Sequence, residues 1–234
     1  MADETEKTIV SFLLDETGSM ESVRDKTISG FNEYIATLKT NDTPTLLRLM
    51  TFNTEGFNVV YDFDDIQSVA DLTMESYRPR AMTNLYDAIA KLVHDTEDYA
   101  KRMSPAPRVM CTIMTDGEEN SSSEYNRAAI FKLITDKEKE GWAFAFLGAN
   151  QDAWAASESI GIHRRNSANY QADAPERALR STAVATSRWM KRRRRAAYAA
   201  RRCATASRSC RPSRVTCSSG ATSTGMRARK WHNN

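Results

Sequence analysis

Ile9-Val10-Ser11-Phe12-Leu13-Leu14-Asp15-Glu16-Thr17-Gly18-Ser19-Met20 is the stretch that decides the fold. An apolar run over residues 8–14 reads as a strand buried on both faces. It ends abruptly in a carboxylate followed by hydroxyls at alternating positions, Asp15, Thr17 and Ser19. Oxygen donors on a loop suit a hard divalent cation. The same residues also suit an ordinary turn and the cap of a following helix. The choice between these readings depends on the rest of the chain.

Working outward, strand and helix patterns alternate. Residues 22–39 carry Val23, Thr27, Phe31, Ile35 and Leu38 at helical spacing. Residues 46–52 and 57–63 are strands joined by Asn53-Thr54-Glu55-Gly56, which predicts a hairpin. Residues 64–80 read as irregular. A helix over 85–102 follows, with Leu85, Ile89, Leu92 and Thr96 on one face, and Pro105 and Pro107 end it. Residues 108–114 form a second continuous apolar strand. A helix over 123–140, a strand over 142–147, a short helix over 152–160 capped by Asp152, and a last helix within 175–190 complete the pattern. Such alternation predicts an α/β fold: a doubly wound, mainly parallel central sheet with helices on both faces and one antiparallel edge strand. Ligands of such sheets bind beyond the carboxyl ends of the strands, where the strand order reverses.

Asp15 and Asp116 both stand at the carboxyl ends of apolar strands. A third segment, Ala81-Met82-Thr83-Asn84-Leu85-Tyr86-Asp87, offers Thr83 just ahead of a helix. Singly, Thr83 reads as a helix cap, Asp116 as a turn acid and Asp15 as a loop acid. Together, Asp15-x-Thr17-x-Ser19, a distant Thr83 and a distant Thr115-Asp116-Gly117 resemble the von Willebrand factor A (VWA) domain family. That family's metal-ion-dependent adhesion site (MIDAS) has the form Asp-x-Ser-x-Ser, then Thr, then Asp. Thr17 replaces the first Ser and keeps its hydroxyl; the other four positions match. The resemblance covers about residues 8–160 and implies a Rossmann-like fold. It also implies a metal site of Asp15, Thr17, Ser19, Thr83 and Asp116, with Mg2+ as the ion and Mn2+ as a substitute, and a protein partner bound through the metal. A partner Asp or Glu is the expected anionic ligand, because two carboxylates and three neutral hydroxyls leave the ion open to an outside oxygen. Asp87 and the Glu118-Glu119 pair are expected to lie outside the site, the latter as a solvated rim.

Competing chemistry finds less support. The Thr17-Gly18 pair lacks the adjacent Asp of an aspartic protease, a second Asp-Thr-Gly is missing, and no phosphate-binding glycine loop is present. The histidines His94, His163 and His232 form no nucleophile–base pair. The chain therefore reads as a non-enzyme, with metal-dependent hydrolysis or phosphotransfer as the alternative. Cys111 lies within an apolar strand and reads as an inert thiol. Cys203, Cys210 and Cys217 recur every seven residues, a spacing that matches no common zinc pattern.

The formal net charge of +3 conceals an asymmetry. Residues 1–162 carry 15 Lys and Arg against 28 Asp and Glu, whereas residues 163–234 carry 18 against 2. The expected organisation is an N-terminal extension (1–7), a VWA-like domain (8–162), a C-terminal helical extension (163–190) and a basic, disordered tail (191–234). Three readings of the tail stand open: polyanion or nucleic-acid binding, no specific role, or a shifted reading frame in GC-rich DNA. The acidic start lacks the features of a secretory signal. No run approaches the roughly 18 apolar residues of a membrane span. Both points predict a cytoplasmic protein.

Overall fold

The structure, a computed structural model, describes residues 6–117, 119–149, 153–171 and 174–191. Its sheet has six strands: β1 (Thr8–Asp15), β2 (Thr45–Asn53), β3 (Gly56–Asp65), β4 (Arg108–Thr115), β5 (Ala143–Ala149) and β6 (Ser167–Tyr170). Their order is β3-β2-β1-β4-β5-β6, and every pairing is parallel except that of β3 with β2. β1 therefore lies centrally, which explains why all eight of its residues are buried and why its sequence is mainly apolar. Successive side chains point to opposite faces. Ile9 and Leu13 enter one core layer, and Val10, Phe12 and Leu14 enter the other.

Helices cover both faces. α1 (Arg24–Lys39) presents Phe31, Tyr34, Ile35 and Leu38 to the second layer, where the Phe12 ring meets Phe31 and Tyr34 edge-on at 5.2 and 5.3 Å. α2 (Leu85–Ala100) and α3 (Arg127–Lys139) fill the first layer. The four α2 positions singled out in the sequence, Leu85, Ile89, Leu92 and Thr96, are all buried. A short α4 (Ala153–Ser159) follows β5, and Ile160 and Ile162 behind it join the first layer. The Asp152 expected to cap it lies outside the described residues.

The structure departs from the sequence reading at two places and adds to it at a third. The expected helix from residue 22 opens as a 3-10 turn, Gly18–Val23, before α1 begins at Arg24. Residues 66–77, though irregular, close the second layer with Ile66, Val69, Leu72 and Tyr77. They are pinned to α1 by Asn32, whose side chain donates to the Leu72 carbonyl at 3.0 Å and accepts its N–H at 2.8 Å. Finally, the expected boundary at residue 162 falls inside the fold: β6 extends the sheet beside β5, and a helix over residues 175–191, α5, packs on α1. Ala178, Leu179, Ala183 and Met190 of α5 belong to the second layer.

Gly30 sets the approach of α5 to α1. A Cβ there would stand 2.7 Å from the Glu176 Cα and 2.9 Å from the Leu179 Cδ1. Gly30→Ala would gain about 1 kcal/mol of helix propensity, but displacing a packed backbone costs about 1–3 kcal/mol. The second effect wins, so the urea midpoint of Gly30→Ala is expected to fall; a midpoint at or above that of the wild type contradicts this packing.

Candidate functional site

The strand order reverses between β1 and β4, so the crevice beyond their carboxyl ends is the position where α/β sheets bind ligands. β1 delivers Asp15 there, and the turn after it delivers Thr17 and Ser19. Asp116 follows β4 directly. Thr83 arrives on the segment that precedes α2.

Hydrogen bonds link Asp15, Thr17, Ser19 and Asp116, and the Thr83 side chain lies beside Gly117. Asp15 Oδ1 accepts the Thr17 N–H at 2.8 Å, and the Thr17 and Ser19 hydroxyls lie 3.1 Å apart. The Ser19 hydroxyl donates to Asp116 Oδ1 at 2.6 Å. Gly117 matters by what it lacks: a Cβ there would stand 3.0 Å from Thr83 Oγ1 and 3.9 Å from Asp15 Oδ2. The glycine leaves open a small cradle between those two oxygens.

The electrostatics are those of carboxylates held out of water. Asp15 is fully buried, and burial pushes its carboxyl from the ordinary 3.8 up to about 6. Hydrogen bonds from Thr115 and Thr17 oppose the shift, and the like charge of Asp116 adds to it. Burial also raises Asp116, against the bond from Ser19. Among the described residues no three His, Cys, Asp or Glu side chains gather into a metal cage. The donor set here is instead two carboxylates and three hydroxyls, all hard oxygen, which fits Mg2+ or Mn2+ better than a soft ion.

Supporting groups surround the five. The Thr115 hydroxyl donates to Asp15 Oδ2 at 2.6 Å and accepts the Gly117 N–H at 3.1 Å. The buried phenols of Tyr77 and Tyr170 donate to the carbonyls of Asp15 at 2.6 Å and Thr115 at 3.2 Å. Glu16 is buried and turned away from the crevice: its carboxylate accepts the Thr51 hydroxyl at 2.7 Å and the Arg78 N–H at 2.5 Å. Its carbonyl accepts the Arg80 N–H at 2.8 Å. This strap ends in Ala81, whose positive φ of 62° turns its carbonyl onto the Gly18 N–H at 3.1 Å. A non-glycine residue there costs about 1–3 kcal/mol and marks a constrained loop.

Of the acids set aside in the sequence, Glu119 is not a solvated rim. It accepts the N–H groups of Tyr86, Ser121 and Ser122. Asp87 accepts those of Ser123 and Tyr125. Glu118 lies outside the described residues, as do Cys203, Cys210, Cys217 and His232. Cys111 is fully buried, and burial raises its thiol well above the ordinary range.

The backbone is similar to several solved structures. Proximal thread matrix protein 1 from the mussel byssus, with a zinc-occupied MIDAS motif, matches 77% of this chain at 14% identity with a TM-score of 0.57. The pilus adhesin SpaC from Lactobacillus rhamnosus GG matches 79% at 11% identity and 0.58. A von Willebrand factor type A protein from Catenulispora acidiphila matches 76% at 13% identity and 0.52. The chain has the von Willebrand factor A fold. The match spans 48%, 30% and 42% of those three chains, so the VWA fold here equals less than half of each. No family model and no curated protein sequence matches the chain. Among the described residues, no helix of this VWA fold is long and apolar enough to cross a membrane.

Proposed function

We propose that the domain recognises a protein partner through a divalent cation held at Asp15, Thr17, Ser19, Thr83 and Asp116. Mg2+ is the resident ion, and Mn2+ substitutes for it. The observation that carries this reading is the convergence of three separate segments at the strand-order reversal, joined through Ser19 to Thr17 and Asp116 and left open at Gly117. Mg2+ takes six oxygens. Five protein residues supply at most five positions when each gives one oxygen, so at least one remains for water or for an outside ligand. A partner Asp or Glu is the strongest candidate for it, because a carboxylate brings both an oxygen and a charge. The zinc-occupied MIDAS of the byssus protein and the adhesin among the similar structures support the same reading.

Comparison of the proteins captured from a lysate in Mg2+, in chelator, and in Mg2+ with Asp15→Ala as bait tests the proposal. A partner retained only in the first sample is expected; identical sets in all three refute metal-dependent recognition. The cradle beside Gly117 gives a second test. Gly117→Val fills the space between Thr83 Oγ1 and Asp15 Oδ2 and is expected to weaken Mn2+ binding about tenfold, the scale of effect seen when a metal site's supports are disturbed. Unchanged affinity means the ion does not occupy that cradle.

A further inference from the structure

The start of α2 is capped from another part of the chain. Asn84, at its N-cap position, caps no backbone group with its side chain, so the first N–H groups of the helix need other acceptors. The segment after β4 supplies them. The Tyr86 N–H donates to Glu119 Oε2 at 2.8 Å and to Ser122 Oγ at 3.0 Å, and the Asp87 N–H reaches the same Ser122 Oγ at 3.2 Å. Glu119 is held in place by the Ser121 and Ser122 N–H groups, at 2.8 and 2.7 Å, and by the Ser122 hydroxyl at 2.6 Å.

The interlock is reciprocal. From the first turn of α2, the Asp87 carboxylate accepts the N–H groups of Ser123 at 2.8 Å, Glu124 at 3.1 Å and Tyr125 at 2.8 Å. A reciprocal pair of bonds closes the end nearest the crevice: the Thr83 N–H donates to the side-chain oxygen Asn120 Oδ1 at 3.2 Å, and the Asn120 N–H donates to the Thr83 carbonyl at 3.3 Å. Bonds to ionised acceptors are about twice as strong as neutral ones, and Glu119 also meets the positive end of the α2 dipole. Neither acid bonds to Asp15, Thr17, Ser19, Thr83 or Asp116.

We infer that Asp87 and Glu119 are positioning residues for the cation site. They lock the segment bearing Thr83 to the segment bearing Asp116 and so fix the spacing of those two donors. The inference rests on the cation reading of the crevice. Thr83 and Asp116 come from separate elements, and a cation site loosened by about 1 Å loses its ion.

Free Mn2+ measured by electron paramagnetic resonance gives the dissociation constant of each variant. Asp87→Asn and Glu119→Gln are expected to raise it about tenfold or more. Asp95→Ala is the control: Asp95 lies two turns further along α2 and pairs with Arg48 and Lys91, so its loss lowers thermal stability but leaves Mn2+ affinity unchanged. Wild-type affinity in both Asp87→Asn and Glu119→Gln overturns the inference while the cation reading stands. An equal loss of affinity in Asp95→Ala also overturns it, because general loosening of α2 would then explain the result. A wild-type protein that binds no Mn2+ overturns the cation reading, and this inference with it.

Discussion

Asp15→Asn is expected to abolish divalent-cation binding while leaving the fold intact. The two outcomes separate because the side chain has two jobs. As a hydrogen-bond acceptor it takes the Thr17 N–H and the Thr115 hydroxyl; an amide oxygen keeps one of these bonds, and the hydroxyl can turn to suit the other group. As a charge it has no substitute. A carboxylate and a divalent ion a few Å apart attract by several kcal/mol even at the effective dielectric of a protein surface. Losing that attraction is expected to weaken Mn2+ binding by at least about 100-fold, or roughly 3 kcal/mol. Isothermal titration with Mg2+ and Mn2+ measures it, and circular dichroism checks the fold. Affinity within threefold of wild type would remove Asp15 from the site.

Much of this was legible because the central strands of a parallel sheet leave an unmistakable record. β1 and β4 are buried on both faces, so their sequences are mainly apolar and end where polar side chains emerge. Asp15 and Asp116 stand at those ends, and the family pattern linked them to Thr17, Ser19 and Thr83. β6 left no such record. Ser167-Ala168-Asn169-Tyr170 is four residues long and contains no β-branched side chain; pairing with β5 makes it a strand. The expected start of α3 at residue 123 was early by four residues, because the N–H groups of residues 123–125 are taken by Asp87. A cap signal was there to be read: Asn126 accepts the Ala129 N–H at 3.0 Å.

The supporting acids were not legible for a different reason. Glu16, Asp87 and Glu119 accept backbone N–H groups 33–62 residues away in sequence, and no local pattern encodes such a partner. Glu16 alone carried a hint, as a charge placed directly after a buried run. Composition marked Glu119 for the surface. The unpaired N–H groups at the start of α2, which need an acceptor from outside the helix, overrode that tendency.

Without bound metal, the protein is expected to lose stability as pH rises from about 4 to 6, and divalent cation is expected to restore it. The Asp15 carboxyl has a folded value of about 6 against an ordinary 3.8. Between these values the folded state holds a proton that the unfolded chain has released. Stability from this group is thus full below 3.8 and is lost as pH passes 6. The loss is on the order of 3 kcal/mol. Asp136 and Glu97 are shifted the other way, Asp136 to about 2 by Lys132 and Lys139, and Glu97 by Lys101 and Lys137. Their contributions disappear only as pH falls below the ordinary carboxylate range, so the two trends occupy separate windows. On the proposed reading, a cation displaces the proton from Asp15 and binds the folded state alone, which would add about 2.7 kcal/mol at 100 times its dissociation constant. Thermal midpoints at pH 5, 6 and 7, with Mg2+ and with chelator, report both effects. In chelator the wild-type midpoint should fall from pH 5 to 7, whereas Asp15→Asn, which keeps only the raised Asp116 carboxyl there, should fall less. Mg2+ should raise the wild-type midpoint most at pH 7, where no proton competes, and should leave Asp15→Asn unmoved. A variant whose pH profile matches the wild type would show that the buried carboxylate at the end of β1 is not the group that titrates.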